Sequence, residues 1–220
     1  MTCMCGRYGF MLTGDSWRRF EIESSSVHNT TRYNLAPSQT APIITRNSPK
    51  KVQMMQFGLI PFWAKENKGY VINARSETIF EKTMFKKSVV ERRCLVPASF
   101  FFEWQRKPDI KIPYAIKVTN EDVFAFAGIY NETEVDGKKI LSFAIITTSP
   151  NSLMKPIHDR MPVILTQEEE DDWLDPDMIE PERIEKFLDP FPSEKMKAWK
   201  IGSLVNKPQN DFKEILKPIE

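Results

Sequence analysis

The stretch RCLVPASFFFEWQ, residues 93–105, constrains this chain most. It is a long apolar run of β-branched and aromatic residues, the composition of strands. Three more such patches follow at short spacing: PYAIKVT (113–119), VFAFAGIY (123–130) and ILSFAIITT (140–148). Asp136-Gly137 between the last two is a two-residue hairpin signal. Upstream, APIITR (41–46) and VQMMQFGLI (52–60) flank NSPKK, a second hairpin, and MPVILT (161–166) reads as one more strand. Helical signals are shorter. SETIFEKTMFKK (76–87) opens on a Ser cap, and SPNSLMKPI (149–157) reads as a single short helix. Thr166 caps QEEEDDWL, whose first-turn acids suit the helix dipole, and Pro181 opens PERIEKFL. Many strands with short helices between them predict an α+β fold. The expectation is a single domain over 1–220, a mixed, curved, barrel-like β-sheet with short peripheral helices.

No linker, repeat or low-complexity tract interrupts the 220 residues, and no apolar run approaches the ~18 residues of a membrane span. Three cysteines, an odd number, argue against a disulfide framework and for a reduced, cytoplasmic protein. With two histidines, ligands for a zinc site are few, and no metal or cofactor is expected. The net charge of +1 hides an asymmetry. Residues 166–189 carry eleven acids and two bases, leaving 29 bases against 19 acids elsewhere. The acidic segment reads as a solvated helical face, and the basic remainder points to a polyanionic partner.

Four places hold polar residues that a packed sheet does not need: Cys5-Gly6-Arg7, VINARSET (71–78), FFFEWQ (100–105) and IHDRMP (157–162). Each also has an ordinary structural explanation. Asn73 satisfies a turn, Arg75 pairs with Glu77, Glu103 faces solvent from an edge strand, His158 caps a helix, and Phe62 and Trp63 belong to the core.

The wording of the motifs shifts that balance. CGRY, RYNLAPSQ, FGLIPFWAK, VINARSET, RCLVPASFFFEW and IHDRMPVIL, in this order, resemble the SOS response-associated peptidase (SRAP) family. The resemblance runs from Cys5 to about Leu165 and resumes at SLVNKPQND, 203–211. It implies a protein of DNA damage and repair that binds single-stranded DNA and crosslinks covalently to abasic sites. The crosslink is a thiazolidine made by an N-terminal cysteine. Carried over by motif, the active site is Cys5, Asn73, Glu103 and His158. Arg7, Asn34, Arg75, Thr147 and Arg160 match positions near the DNA backbone. Pro37, Phe62 and Trp63, with Leu35, match stacking or wedge positions around an unpaired base. A monomer, associated with the nucleoid when bound to DNA, is expected.

The chemistry agrees with that assignment. An abasic deoxyribose opens to an aldehyde, which a neutral amine attacks. An α-amine, with pKa ~7.7–8.0 against ~10.4 for lysine, is far more often neutral at pH 7. A terminal cysteine also carries the thiol that closes the imine to a five-membered ring. Glu103, between aromatic residues, is placed to have a raised pKa and to shuttle protons, and His158 to protonate the ring oxygen as the sugar opens. Asn73 orients the amine. Gly6 allows close approach of the backbone, and Arg7 holds a phosphate.

The family's start, Met-Cys-Gly-Arg, falls here at Met4 rather than Met1. A functional start at Met4 is therefore expected, exposing Cys5 once the methionine is removed; cleavage after residue 4 and use of the Cys5 thiol alone are the alternatives. Two other readings stay open. Cys5 as nucleophile, His158 as base and Glu103 as orienter describe a cysteine peptidase, a hydrolase rather than a lyase-like crosslinker. The same residues also suit a non-covalent single-strand binder.

Overall fold

The computed structural model describes residues 6–23, 30–66, 69–108 and 110–219. Cys5 and the residues before it lie outside them. The strands arrive in quick succession, as the apolar patches require. They are β1 (Tyr8–Leu12), β2 (Thr30–Leu35), β3 (Thr40–Thr45), β4 (Ser48–Phe57), the short β5 (Asn73–Arg75), β6 (Arg93–Ala98) and β7 (Phe100–Arg106). After them come β8 (Lys111–Val118), β9 (Phe124–Val135), β10 (Lys138–Thr148), β11 (Met161–Pro162), β12 (Ile164–Leu165) and β13 (Met196–Lys200).

Pairing passes from β10 through β4, β3 and β6 to β9, and β9 pairs back with β10. These strands therefore close into a barrel, which removes exposed edges. The β4–β10 contact is parallel and the rest of the ring antiparallel, so the sheet is mixed, as expected. A second sheet, in the order β13-β8-β7-β1-β2, lies outside this ring. The main core, to which both sheets contribute, is apolar: Tyr8, Phe57, Phe101 and Phe126 are almost wholly buried, with edge-to-face contacts among them.

Local chemistry holds in several places. The β9–β10 turn is made by Asp136 (φ 51°) and Gly137 (φ 71°), the left-handed pair that a two-residue hairpin needs. The 41–46 and 52–60 patches contribute to the β3–β4 hairpin, but its turn is Arg46-Asn47, and Ser48–Lys51 of the expected NSPKK turn already belong to β4. Helix α3, below, starts with a capping box in which Glu169 Oε2 accepts from Thr166 N at 2.8 Å.

Other expectations are corrected. The 93–105 run is two strands in two sheets. It turns at Ser99, whose N–H donates to Gly9 O (2.8 Å) and whose Oγ accepts from Met11 N (3.1 Å). MPVILT also divides: β11 joins β10 while β12 joins β9. The 149–157 stretch forms hydrogen-bonded turns, and residues 76–87 supply a 3-10 turn at Ser76–Thr78, further turns, and at Lys86 and Lys87 the start of a helix that runs on to Glu91. The helices are α1 (Gly14–Arg19), α2 (Lys86–Glu91), α3 (Gln167–Leu174) and α4 (Pro181–Ile184). Among the described residues no helix is long and apolar enough to cross a membrane.

The acidic segment is more than a solvated face. Helix α3 buries Trp173, Leu174 and Glu170, and both Glu170 carboxylate oxygens accept from Arg19, at 2.9 and 2.8 Å. Burial outweighs that partner and pushes the Glu170 carboxyl up to about 7. Beneath the same helix lies Arg93, fully buried. Its Nε donates to Trp173 O, Nη1 to Val89 O and Val90 O, and Nη2 to Asp175 O and Met178 O, all within 2.7–3.1 Å. The guanidinium thus closes the carbonyl ends of α2 and α3 together, where the helix dipoles favour a cation.

Candidate active site

Strand β7 alternates between two environments. Phe101 points into the main core, whereas Phe100 and Phe102 join a smaller one with Ile201, Val205 and Ile215. Glu103 follows the direction of Phe101 and is only 2% exposed. It is not a solvent-facing edge residue. It lines a cavity of about 550 Å³ together with Gly6, Arg7, Pro37, Trp104, Arg106, Lys111, His158 and Asn206. That volume lies within the range of small-molecule sites.

His158 reaches the cavity from the loop after β10. Its backbone N–H donates to Met154 O at 2.8 Å, and Gln105 Nε2 donates to Pro156 O at 2.8 Å, which ties this loop to β7. Both of the ring's close contacts engage Nδ1: Arg160 N at 3.1 Å and Asp159 Oδ1 at 2.9 Å. Among the described residues Nε2 has no hydrogen-bond partner.

The end of β10 organises the other two motifs. Ile145–Thr147 pair with Asn73–Arg75 of β5, while Thr147 and Thr148 pair with β11. Arg160 joins the two flanks. Its Nη2 donates to Thr147 O (2.6 Å) and Glu77 Oε2 (2.8 Å), and its Nη1 to Glu77 Oε1. Arg160, not Arg75, is therefore the partner of Glu77, and its hydrogen bond holds the Glu77 carboxyl below the usual range. Asn73 is half-buried, with Nδ2 3.5 Å from Ile145 O, and does not line the cavity.

The residues matched to DNA contacts divide in the same way. Phe62 and Trp63 are 52% and 51% exposed and meet edge-on at 4.6 Å, so they are not core. Their loop is anchored at Ile60, whose N–H donates to Ser142 Oγ and whose carbonyl accepts from Asn131 Nδ2 and Thr133 Oγ1. Arg75 is exposed and Pro37 lines the cavity. Leu35, Asn34 and Thr147 are fully buried, and Arg160 is spent on Glu77 and Thr147 O. These four side chains act inside the fold as it stands.

Sequence reasoning missed Arg106, Lys111, Trp104 and Asn206. The first two face each other across the β7–β8 pair, so the basic RKPDIK hairpin after FFEWQ was the available signal. No acid of 166–189 lines this cavity, although Glu185 and Asp189 border another with Glu77 and Glu81. Among the described residues no three His, Cys, Asp or Glu side chains cluster as metal ligands.

Cys94 is the cysteine among the described residues, fully buried, and burial pushes its thiol far above the ordinary range. Iodoacetamide is expected to leave the Cys94 peptide unmodified in native protein and to modify it fully after denaturation, read by peptide mass spectrometry. Labelling in native protein would show that the barrel wall opens there.

Fold and site together describe a β-barrel protein with a carboxylate and a histidine in one cavity that the N-terminal segment borders. Residues 4–208 match the model of the SOS response associated peptidase (SRAP) family, and the chain belongs to that family. It is 43% identical to the abasic site processing protein YoqW of Bacillus subtilis (strain 168) over 223 residues, covering 97% of this chain and 99% of the relative. It is 27% identical to the abasic site processing protein HMCES of Xenopus tropicalis, covering 94% of this chain and 71% of that one. A crystal structure of a protein from Bacteroides thetaiotaomicron superposes with a TM-score of 0.88 at 34% identity, covering 98% of this chain and all of that one.

Proposed function

We propose that this chain processes abasic sites in single-stranded DNA by forming a thiazolidine crosslink through Cys5 as its N-terminal residue. The observation that carries the reading is the shared cavity of Gly6, Glu103 and His158, bordered by Arg7, Arg106 and Lys111. The names of the relatives point the same way.

In this reading the abasic sugar enters the cavity as its ring-closed hemiacetal, whose anomeric hydroxyl gives up its proton to water as the ring opens to the aldehyde. His158 gives a proton to the ring oxygen as the sugar opens. The neutral α-amine of Cys5 adds to the aldehyde carbon, and Glu103 carries protons as water leaves and the imine forms. The Cys5 sulfur then bonds to the imine carbon while its proton passes to nitrogen, closing the ring with no oxidant or reductant. Ring closure within one residue has a large proximity advantage over a second molecule. Asn73 orients the amine once DNA is bound. Unlike Glu103 and His158, it does not line the cavity.

The test is a denaturing gel of protein beginning at Cys5 with a single-stranded oligonucleotide carrying one abasic site. A shifted band that survives heat and detergent is expected, and none with intact DNA. No such band would end the crosslinking reading.

The exposed aromatic pair supplies a separate test. Stacking on an aromatic side chain is worth about 1–3 kcal/mol per base. Trp63→Ala is therefore expected to weaken binding to undamaged single strands by about 5- to 140-fold. Unfolding midpoints should barely move, because the side chain is half in solvent. Unchanged affinity in a titration would remove Trp63 from the DNA path.

A further inference from the structure

The segment after β13, residues 203–211, borders the same cavity through Asn206, and the chemistry above does not use it. It is held from inside the fold. Asn34, fully buried on β2, donates from Nδ2 to the carbonyls of Val205, Lys207 and Asn210 at 3.1, 3.0 and 2.9 Å. Asp211 fastens the far end to β2, accepting from Asn34 N, Tyr33 N and the Arg32 guanidinium. Val205 is buried in the smaller core against which Phe100 and Phe102 pack.

Arg7 links this segment to the N-terminal end. Its Nη1 donates to Asn34 Oδ1 at 2.7 Å and Val205 O at 2.8 Å, and its Nη2 to Asn206 O at 3.2 Å. Its own carbonyl accepts from Phe102 N at 3.0 Å. On the other side, Asn206 Oδ1 accepts from Trp104 Nε1 at 2.8 Å. One segment therefore holds a residue two places after Cys5 and a neighbour of Glu103. A guanidinium fixed on three protein acceptors spends much of its donor set within the protein.

We propose, resting on the crosslinking reading, that residues 203–211 are the positioning element of the reaction: through Arg7 they hold the Cys5-Gly6 end against Glu103. Asn34 anchors that element, which gives its burial beside a DNA-binding motif a purpose.

The test uses the full chain beginning at Cys5. Arg7→Lys keeps the charge but cannot span the three acceptors. Asn34→Ala releases the segment at a place DNA cannot reach. Both are expected to slow single-turnover crosslinking at saturating protein by about tenfold or more. Asn34→Ala should leave affinity for an undamaged strand, and its salt dependence, as in the parent. The amide of Phe102 should exchange with solvent faster in both. Should Asn34→Ala fail to fold, Arg7→Lys decides alone.

Parental rate and parental Phe102 exchange in Arg7→Lys would overturn the proposal. So would an Arg7→Ala variant whose saturated rate is unchanged while its log–log salt slope falls by about 0.7, the mark of a phosphate grip. If the parent forms no crosslink, the crosslinking reading fails. Phe102 exchange then still reports on docking: faster exchange in Arg7→Lys upholds it, and parental exchange overturns it.

Discussion

Protein beginning at Cys5 is expected to crosslink to abasic single-stranded DNA in a form that survives denaturation, while the chain kept intact from Met1 is not. The difference follows from amine chemistry. A peptide bond at Cys5 removes the nucleophilicity of its nitrogen, whatever the cavity supplies. Cys5→Ser in the trimmed protein retains the amine but loses the thiol, so only a reversible imine, trapped by reductant, is expected. Glu103→Gln should slow crosslinking by about 10²–10⁴-fold, the usual worth of a general acid–base, and leave strand binding in place. All four proteins are compared on one denaturing gel, with the mass of each N-terminus confirmed. Equal crosslinking by a verified Met1-intact chain would sink the amine mechanism. Proteolysis by that chain with Cys5 blocked would favour a peptidase, which needs only the thiol.

The second large effect concerns the fold. Arg93→Ala is expected to cost about 3–5 kcal/mol of stability, a large part of what a domain of this size possesses. Five carbonyls, at the ends of α2 and α3 and at Met178 just beyond α3, lose a donor together, although Val90 O keeps Arg46 Nη1 and Asp175 O keeps the Met178 N–H. Each buried acceptor left unpaired costs ~1–3 kcal/mol, less whatever water recovers. Burial and the neighbouring Arg46 lower the Arg93 pKa to about 10, so the side chain remains charged at neutral pH. Arg93→Lys should recover little, because an ammonium cannot reach five acceptors spread over two helix ends. Urea titrations of the three proteins measure this. An Arg93→Ala midpoint within a few tenths molar of the parent's would show that the two helix ends are satisfied some other way.

Much of the architecture was legible locally because its cause is local. Asp136-Gly137 makes its turn through its own φ angles, and Thr166 with Glu169 starts α3 through its own side chains. The strands of the β3–β4 and β9–β10 hairpins are contiguous with their turns, so their pairing needs no distant partner. The motif wording identified the family and pointed to the strand that carries Glu103 and the loop that carries His158. Only the tertiary structure decided which face each polar side chain serves. Ser99 breaks an apolar run because Gly9 and Met11, some ninety residues earlier, hold it. Arg160 finds Glu77 rather than a phosphate, and Asn34 turns inward to carbonyls more than 170 residues away. A buried guanidinium or amide is fixed by acceptors that close around it in space, and their distance along the chain leaves no periodicity to read.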